Sequence, residues 1–572
     1  MRLLDKFIMA SGKRFVSVLV VTFVGIFLIV FSPMVAQAHG ITVSNVSFGV
    51  QNTTNHYRAI IFNLAWQNAW RDTIAAITTG TGNYDAAWVF IKYSIDGVNW
   101  NHATLGPISG GSSTGGMGGR LNPVNFLGGL GIVQGALQYW TGVGFDVVVP
   151  SDHKGAFVQI GSGNRDFSIS GNIVSTAPVQ LLWDYGEDGI SDNLAATAIV
   201  QVMAIEMVYI PKGPFYVGDT TTTSITGQFC QANNSAAPLL ITGEGVLFLG
   251  NGLATGLGNH DHRGMYFGDD FTNTTAPTAS PTVLSDNSIY SGFPKGYNAF
   301  YIMKYNVTQG QWRDFLNTLT RTQQNCRIYD SPTNDGPQLL SVSSIRGVPS
   351  GYVFVMSNGA AATNRNGIGV TTISAFDQGQ PATAPMTFGC YLSGSVNGAN
   401  DGESIGANYL SWMDGAAYAA WAGLRPFTEL EYEKAARGPS SVDTGAFATS
   451  KRVTTGASWG VMDLSGNAWQ RVVTVGNATG RSFIGSNGTG GLDTNGNATN
   501  SDWPGYSTST KDVNGGMGSG FRGGIWFADS IYVRVADRYF AASDFKGFRY
   551  DCFILSYSYN HSAGMRFART SP

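Results

Sequence analysis

Residues 408–439 read NYLSWMDGAAYAAWAGLRPFTELEYEKAARGP and contain the signals for two consecutive short helices. Ser411 and Asp414 have the spacing of an N-terminal capping box, in which side chains satisfy backbone N–H groups that lack a partner within the helix. Thr428 and Glu431 repeat this spacing before a second apolar pattern. Because apolar residues recur at near-helical spacing after each cap, the sequence predicts two helices that meet at a tight corner.

The second part of this corner, WAGLRPFTELEYEKAARG at 421–438, resembles the central signature of the formylglycine-generating enzyme, or sulfatase-modifying-factor, family. Further stretches that resemble family motifs follow in the family's order: MVYIPKGPFYVG at 207–218, FYIMKYNVTQGQWRDF at 300–315, DLSGNAW at 463–469, FRGGIW at 521–526 and GMRFAR at 564–569. The resemblance covers about residues 206–572. It implies an α+β fold of the C-type-lectin kind for that part of the chain.

The composition excludes some classes of protein. With 572 residues, of which 43% are hydrophobic, the chain is long enough for two domains. Only 12% of the residues are charged and 75 are glycine, which favours a loop-rich protein of the cell exterior over a helical cytosolic one. The net charge of −3 argues against a nucleic-acid-binding protein, which normally carries a basic face.

Residues 1–38 have the features of a signal peptide. Lys6 and other basic residues precede an apolar run at 15–31, and Ala36 and Ala38 frame an A-x-A cleavage site. We therefore expect export, with the mature protein extracellular or at the cell surface. An uncleaved anchor is the alternative, because the apolar run is slightly long for a signal peptide and slightly short for a membrane span.

Two domains are expected after the signal segment. Residues 39–205 show alternating apolar positions separated by turn signals, which predicts an all-β, sandwich-like domain. A glycine-rich, almost uncharged insertion at 110–144 interrupts this pattern. Residues 206–572 form the predicted α+β domain, and the polar segments 219–298 and 321–407 are predicted to be insertions that carry local strands.

Four cysteines, Cys230, Cys326, Cys390 and Cys552, are compatible with an oxidising compartment but match no metal-binding spacing. A Cys326–Cys390 disulfide would close the second insertion, and we expect this bridge first. Four buried free thiols are the alternative, because cysteine often behaves as a small apolar residue.

Enzymes of the resembled family use two active-site cysteines that bind copper, and they oxidise a cysteine of a client sulfatase. When FRGGIW is laid on the family pattern without gaps, these positions fall on Ala528 and Val533. Neither side chain can form a thiolate ligand or a mixed disulfide, so we expect no copper and no oxidation by that mechanism. Cys552 lies far along the chain and is a poor substitute.

The calcium turn of the family is partly retained. Asp463, the carbonyls of Gly466 and Ala468, and Gln470 occupy the positions that match the family's ligands. Gln470 stands where the family has glutamate, and the loss of a carboxylate weakens the attraction for a hard dication. Calcium at this turn is one hypothesis, and a β-turn with Trp469 in the core is the other.

Residues 527–563 are dense in tyrosine, phenylalanine, serine, aspartate and asparagine, the composition of an antibody-like binding surface. The alternative is a set of irregular loops whose aromatic side chains fill the core. Lectin-fold proteins diversified by retroelements resemble this family and vary a segment at this place, through codons that cannot encode Trp, Met, Gln, Glu or Lys. Lys546 is the one residue of that set between 527 and 563, which favours a diversified binder.

We predict that the following residues contribute a contiguous exposed binding patch: Phe527, Asp529, Ile531, Tyr532, Tyr539, Phe540, Tyr550, Phe553, Tyr557 and Tyr559. The framework residues around them, including Arg522, Trp526 and Arg566, should be buried or fixed by hydrogen bonds. Replacing Tyr539 and Tyr557 by alanine should weaken ligand binding with little effect on the melting temperature. By contrast, Trp526→Ala should open a cavity that costs roughly 3 to 5 kcal/mol.

The whole sequence thus predicts an exported, surface-displayed protein that binds a protein or glycan ligand and is not a redox catalyst. A modifying enzyme of the formylglycine-generating type with an unrecognised site is the first alternative. A structural surface module is the second. No nucleic-acid partner is expected, and a membrane is expected as a partner only if the signal segment is retained.

Overall fold

A computed structural model describes the fold of this protein over the following residues: 40–106, 145–161, 169–174, 178–219, 225–261, 263–266, 288–328, 353–356, 365–370, 384–392, 401–438, 459–526, 529–544 and 563–572. The predicted signal segment lies outside these ranges. Within them, no helix has both the length and the apolar character needed to cross a membrane.

Strands are distributed along the described chain, and helices are fewer. In chain order the strands are β1 (Thr42–Asn52), β2 (Tyr57–Arg71), β3 (Asp85–Ser94), β4 (Asn101–His102), β5 (Phe145–Val148), β6 (Ala156–Ile160), β7 (Ile169–Val174), β8 (Val179–Asp184), β9 (Ile199–Ile210), β10 (Phe215–Val217), β11 (Phe229–Gln231), β12 (Leu239–Ile241), β13 (Leu247–Phe248), β14 (Leu257–Asn259), β15 (Ser288–Ile289), β16 (Phe300–Met303), β17 (Val353–Phe354), β18 (Ile368–Val370), β19 (Phe388–Cys390), β20 (Trp469–Val473), β21 (Tyr506–Ser507), β22 (Asp512–Val513), β23 (Ser519–Arg522), β24 (Ala563–Gly564) and β25 (Ala568–Thr570). The helices are α1 (Ile74–Thr79), α2 (Asp192–Thr197), α3 (Gln309–Leu316), α4 (Arg321–Asn325), α5 (Trp412–Trp421), α6 (Glu429–Arg437) and α7 (Ala478–Arg481).

Strand β3 joins two hydrophobic cores. All 10 of its residues are buried, because both of its faces are covered. Trp88 and Phe90 belong to one core, whereas Val89 and Ile91 belong to the other. This division follows from the two-residue period of a strand, which sends successive side chains to opposite faces of the sheet.

The sheet around β3 has seven strands in the order β25-β16-β9-β3-β6-β5, with β4 also paired to β3. All of these pairings are antiparallel. A second sheet, in which β2 pairs with β1, β7 and β8, packs over one face, and apolar residues of β2, β3 and β8 fill the space between the sheets. The N-terminal region is therefore β-rich, as predicted, and has two packed sheets.

The predicted boundary between residues 205 and 206 falls inside β9. This strand pairs with β3 from Ile199 to Val208 and with β16 from Met207 to Ile210. Residues His39–Pro572 accordingly form one compact unit. The β-rich region and the mixed α and β region that follows it thus share the seven-stranded sheet.

Buried hydrogen bonds also link the two regions. The Lys92 side chain on β3 donates from Nζ to the carbonyl oxygens of Trp421 at 2.7 Å and of Gly490 at 2.8 Å. Trp88 donates its indole N–H to the carbonyl oxygen of Ala422 at 2.8 Å. Carbonyls at the C-terminal end of a helix lack partners within the helix. Side chains of β3 supply hydrogen-bond donors to these carbonyls at the end of α5.

The helical corner forms as its sequence predicts. Ser411 and Thr428 are the N-caps of α5 and α6, and both take part in complete capping boxes with Asp414 and Glu431. Gly423 adopts a φ of 68° directly after α5, which allows the chain to turn into α6. The corner packs against the central sheet and presents the acidic residues of α6 to the C-terminal part of the chain.

The cysteine predictions are corrected by the structure. Cys326 is disulfide-bonded, whereas Cys230 and Cys390 are buried free thiols. The expected Cys326–Cys390 bridge is therefore wrong, and so is the alternative of four free thiols. Cys390 ends β19 and packs into the main core, and burial raises its pKa to about 12. Cys552 lies outside the described residues.

Candidate functional site

An ion network lies against helix α6. Glu429 and Glu433 are one turn apart on this helix and fully buried. Arg522, at the end of β23, donates to Glu429 at 2.9 Å and to Glu433 at 2.7 Å. Arg538 binds Glu429 through two parallel bonds, from Nε at 2.7 Å and from Nη2 at 3.0 Å. Opposite charges at these distances offset the cost of removing the ions from water.

The network also collects backbone groups. Glu429 accepts a hydrogen bond from the backbone N–H of Val475 at 2.7 Å, and Glu433 accepts one from Gly218 at 2.8 Å. Burial by itself would raise the pKa of Glu429, but Arg538 and Arg522 outweigh it and hold the pKa below its usual value. The carboxylate therefore stays charged in the core. Because Arg522 and Arg538 both bind Glu429, this carboxylate holds the two ends of the segment 522–538.

After β23 the chain passes through Gly523 and Gly524, at two positions whose backbone conformation favours glycine. Gly523 and Gly524 have φ values of 87° and 70°. A Cβ atom on Gly523 would lie 2.4 Å from the carbonyl oxygen of Leu464. The Arg522-Gly523-Gly524 motif is thus fixed by the ion network on one side and by close backbone contact on the other.

Beyond these anchors, aromatic side chains lie at the surface. Trp526, Tyr539 and Phe540 keep 49%, 38% and 39% of their area exposed. The ring centroid of Tyr539 is 4.6 Å from that of Phe540 and 5.8 Å from that of Tyr532. Phe540 packs edge-on against Trp469 at 5.3 Å. We refer to Trp469, Trp526, Tyr532, Tyr539 and Phe540 as the aromatic face.

The structure brings together the predicted patch residues that it describes. Asp529, Tyr539 and Phe540 are exposed, and Ile531 and Tyr532 are half-buried. The remaining predicted patch residues lie outside the described residues: Phe527, Tyr550, Phe553, Tyr557 and Tyr559. A binding role for any of these side chains stays a prediction.

Trp526 departs from the expectation. Its backbone N–H donates to the carbonyl oxygen of Asn467 at 3.0 Å, so its backbone is fixed as predicted. Its side chain is among the exposed large hydrophobic residues, so the prediction that Trp526→Ala opens a core cavity is wrong. Trp526 is therefore a surface residue whose backbone is bonded to Asn467.

Two residues of this surface were missed by sequence reasoning. One of the two hypotheses for the turn places Trp469 in the core, but this side chain is half-buried between Phe540 and Phe521. Arg263 comes from the first insertion, and its guanidinium lies 5.3 Å from the ring centroid of Tyr539. Arg538 holds that insertion in place by donating to the carbonyl oxygen of Gly264 at 3.1 Å. No motif around Arg263 indicates this contact.

Asp537 is a buried carboxyl beside the aromatic face. Its Oδ1 accepts a hydrogen bond from the backbone N–H of Tyr539 at 3.3 Å. Its Oδ2 has no hydrogen-bond partner among the described residues. Burial raises the pKa of Asp537 to about 7, although Arg522 and Arg538 act in the opposite direction. The charge of this carboxyl therefore changes near neutral pH.

Comparison with known protein families identifies the region that contains this site. The model of the sulfatase-modifying factor enzyme 1-like domain matches residues 294–550. Residues 294–550 are thus similar to a sulfatase-modifying-factor domain. No curated protein matches the chain. The ion network and the aromatic face lie within the matched residues, whereas Arg263 belongs to the segment before them.

The matched region contains the turn of residues 463–470, but the hydrogen bonds of this turn do not fit a calcium ion. The side-chain amide nitrogen of Gln470 donates to the carbonyl oxygens of Ala468 at 3.0 Å and of Asp463 at 3.1 Å. Gly466 donates its N–H to the carbonyl oxygen of Gly523 at 2.7 Å. Two of the expected ligands, Ala468 and Gln470, are therefore bonded to each other. Across the described ranges, no three His, Cys, Asp or Glu residues cluster as metal ligands.

The copper site of the family was mapped onto Ala528 and Val533. Val533 is half-buried and offers no thiolate, and Ala528 lies outside the described residues. The free thiols of Cys230 and Cys390 are buried, and burial raises the pKa of each to about 12. Neither thiol is a nucleophile at neutral pH, because the reactive form is the thiolate.

Proposed function

We propose that this protein is exported to the cell surface and uses the aromatic face to bind a protein or glycan ligand without catalysing a reaction. The observation that carries this proposal is the exposure of Trp526, Tyr539 and Phe540 on a segment anchored by buried arginines. Exposed clusters of large apolar side chains are typical of interaction sites.

The mutual contacts of the rings favour tight binding. Tyr539 is held between Tyr532 and Phe540, both of which lie nearly perpendicular to it. Aromatic side chains have few rotatable bonds, and packing against neighbours restricts them further. A ligand therefore loses little free energy to the ordering of this surface, as at antibody binding sites.

Polar groups lie near the rings. Asn467 and Asp529 are exposed near Trp526 and Tyr532, and the Arg263 guanidinium lies over Tyr539. Amide, carboxylate and guanidinium groups can satisfy the hydroxyls of a glycan or the backbone of a peptide. The combination of apolar centre and polar surroundings supports a binding site that recognises both shape and hydrogen-bonding pattern.

The remaining parts of the proposal rest on the sequence. Residues 1–38 support export, and the order of the family motifs supports a C-type-lectin fold for residues 206–572. The residue types between 527 and 563 support sequence diversification. A search of the neighbouring DNA for a reverse transcriptase and a near-copy of this coding segment tests diversification, which fails if both are missing.

The binding proposal is tested with the full exported chain on immobilised glycans and on a displayed peptide library. Tyr539→Ala and Phe540→Ala should weaken binding of any selected ligand at least about tenfold, the loss of one central aromatic contact. Matched controls are Tyr290→Ala and Phe248→Ala, whose side chains are 56% and 55% exposed elsewhere on the chain. Equal losses for both pairs, or none for either, would contradict the assignment of the aromatic face.

Two further measurements address the alternatives. Copper content and turnover of a cysteine-containing peptide test the enzyme alternative, and stoichiometric copper with turnover would overturn the non-catalytic part of the proposal. Light scattering tests the structural module, which predicts self-assembly without ligand. Neither measurement uses the Tyr539 and Phe540 variants. The three candidate functions, ligand binding, catalysis and self-assembly, therefore predict different combinations of results.

A further inference from the structure

The turn of residues 463–470 contains a buried amide where the family pattern calls for a carboxylate. Gln470 begins the buried part of β20 and has no exposed area. Its Nε2 donates to the carbonyl oxygens of Asp463 and Ala468 at 3.1 Å and 3.0 Å. A calcium ion in this turn would need oxygen atoms facing it, whereas this amide presents hydrogen atoms that carry partial positive charge.

The orientation of the Gln470 amide is fixed by its other neighbour. Arg566 donates its Nε–H to Gln470 Oε1 at 2.8 Å. Because a guanidinium can only donate hydrogen bonds, the amide oxygen must face Arg566 and the amide nitrogen must face the two carbonyls. If the amide were flipped, its nitrogen would face the Arg566 Nε–H, so that two donors would meet. Its oxygen would face the carbonyl oxygens of Asp463 and Ala468, so that three acceptors would meet.

Arg566 supplies the positive charge of this turn. Its Nη2 donates to the carbonyl oxygens of Met462 at 2.6 Å and Asp463 at 3.2 Å. Its Nη1 donates to the carbonyl oxygens of Met303 at 3.2 Å and Lys304 at 3.1 Å. Burial lowers the pKa of Arg566 to about 10, so the guanidinium remains protonated at neutral pH. The side chain is fully buried and joins β16 to the turn.

We infer that Gln470 and Arg566 together replace the metal ion of this turn, and that Gln470→Glu converts the turn into a calcium-binding site. The glutamate would keep its bond to Arg566 through one oxygen. Its other oxygen would face the carbonyls of Asp463 and Ala468, and a cation would be needed between these groups. A single amide thus decides whether the turn depends on metal.

The turn positions part of the aromatic face. Asn467 accepts the backbone N–H of Trp526, and Trp469 packs against Phe540. A turn held by Gln470 and Arg566 keeps these residues in place at any calcium concentration. The inference therefore concerns how the surface is positioned, and it stands whether or not the surface binds a ligand.

The test compares the melting temperature of the full chain in EDTA and in excess calcium, together with calcium binding by calorimetry. The natural chain should show the same melting temperature in both conditions and no binding heat. Gln470→Glu should melt at a lower temperature than the natural chain in EDTA, regain stability in calcium, and bind about one calcium ion per chain. Magnesium should restore less stability, because it prefers to keep its water ligands.

Two matched variants separate the outcomes. Gln470→Leu removes the hydrogen bonds without adding a carboxylate, so it should lower the melting temperature equally in EDTA and in calcium. Asp463→Ala in the natural chain should leave the response to calcium unchanged, which keeps the inference testable if Gln470→Glu does not fold. Calcium stabilisation of the natural chain that Asp463→Ala abolishes would overturn the replacement of the metal. A folded Gln470→Glu chain that ignores calcium would overturn the conversion.

Discussion

The segment from Arg522 to Phe540 contains two sets of side chains whose positions are the reverse of the usual distribution. Arg522 and Arg538 are charged and fully buried, whereas Trp526, Tyr539 and Phe540 are apolar and exposed. Arg538 and Tyr539 are even adjacent in the chain. Ordinary proteins bury aromatic side chains and expose arginine, so both sets need a specific cause.

The cause differs between the two sets. The buried arginines are held by directional bonds to Glu429 and Glu433, which specify one geometry. The exposed rings of Tyr539 and Phe540 contact each other, and they also contact the half-buried rings of Tyr532 and Trp469. A framework fixed by charge therefore leaves the surface residues free to change without loss of the fold, which suits a surface whose task is recognition.

The largest expected effect follows from breaking the buried set. Glu429→Gln keeps the size of the side chain but removes the carboxylate that Arg538 binds and one of the two carboxylates that Arg522 binds. We expect a loss of about 3–5 kcal/mol in the free energy of unfolding, the usual cost of breaking a buried ion pair. Denaturant unfolding of the two purified chains measures it.

The matched control is Glu403→Gln, which breaks the partly exposed pair between Glu403 and Arg313. Its cost should stay below about 1 kcal/mol, because water screens such pairs. If both variants lose the same stability, the buried network is not the framework that we describe.

The second effect concerns Asp537, which lies between the two sets. Its pKa is raised to about 7 in the folded chain, above the usual value of about 4 in an unfolded chain. Between these values the folded state holds a proton that the unfolded state has released. Stability from this group is therefore present at low pH and is lost as the pH rises through about 7, with a slope of at most about 1.4 kcal/mol per pH unit.

Asp537→Asn should remove this contribution, so its stability should fall less than that of the natural chain as the pH rises from about 5 to about 8. Urea unfolding at several pH values measures the difference. Identical slopes for Asp537→Asn and the natural chain would show that burial does not shift this carboxyl.

The third effect tests the exposed set. Trp526→Ala should cost less than about 1 kcal/mol in the free energy of unfolding, because the indole is already half in water. Trp88→Ala, at a fully buried indole, should cost about 3–5 kcal/mol. Thermal unfolding of both variants measures the contrast, and a large loss for Trp526 would return this residue to the core.

The smallest effect concerns Arg263. Arg263→Ala removes a cation from the face of Tyr539, an exposed contact that is worth about 0.5–1 kcal/mol. The fluorescence of the aromatic face and the free energy of unfolding should change slightly. Arg263→Lys should retain part of the effect, and a loss equal to that of Glu429→Gln would mean that Arg263 supports the fold.

The sequence alone predicts the helical corner well and the surface poorly. The capping boxes of Ser411 and Thr428 are local signals, so the start of each helix is fixed by residues three positions apart. The arginines of the family motifs were expected to be buried, and Arg522 and Arg566 are. Their partners are set by long-range packing, which no local pattern contains.

The predictions that the structure corrects were also decided by long-range packing. Whether Trp526 is exposed depends on the sharp turn at Gly524, and the contact of Arg263 depends on an insertion that folds back to Arg538. The state of Cys390 depends on the pairing of β19 within the core. In each case the residue type is visible in the sequence, but its neighbours come from parts of the chain that are far apart.

Strand β25 makes completion of the fold a late event during synthesis. It pairs with β16 at the edge of the seven-stranded sheet. Its Arg569 guanidinium binds Asp152 and the carbonyl oxygen of Gly423, so three distant regions meet at residues 568–570. Long-range pairings of this kind form slowly. A growing chain that has not yet reached residue 568 lacks the closing contact, so the sheet edge at β16 stays open to other partners until translation has passed that point.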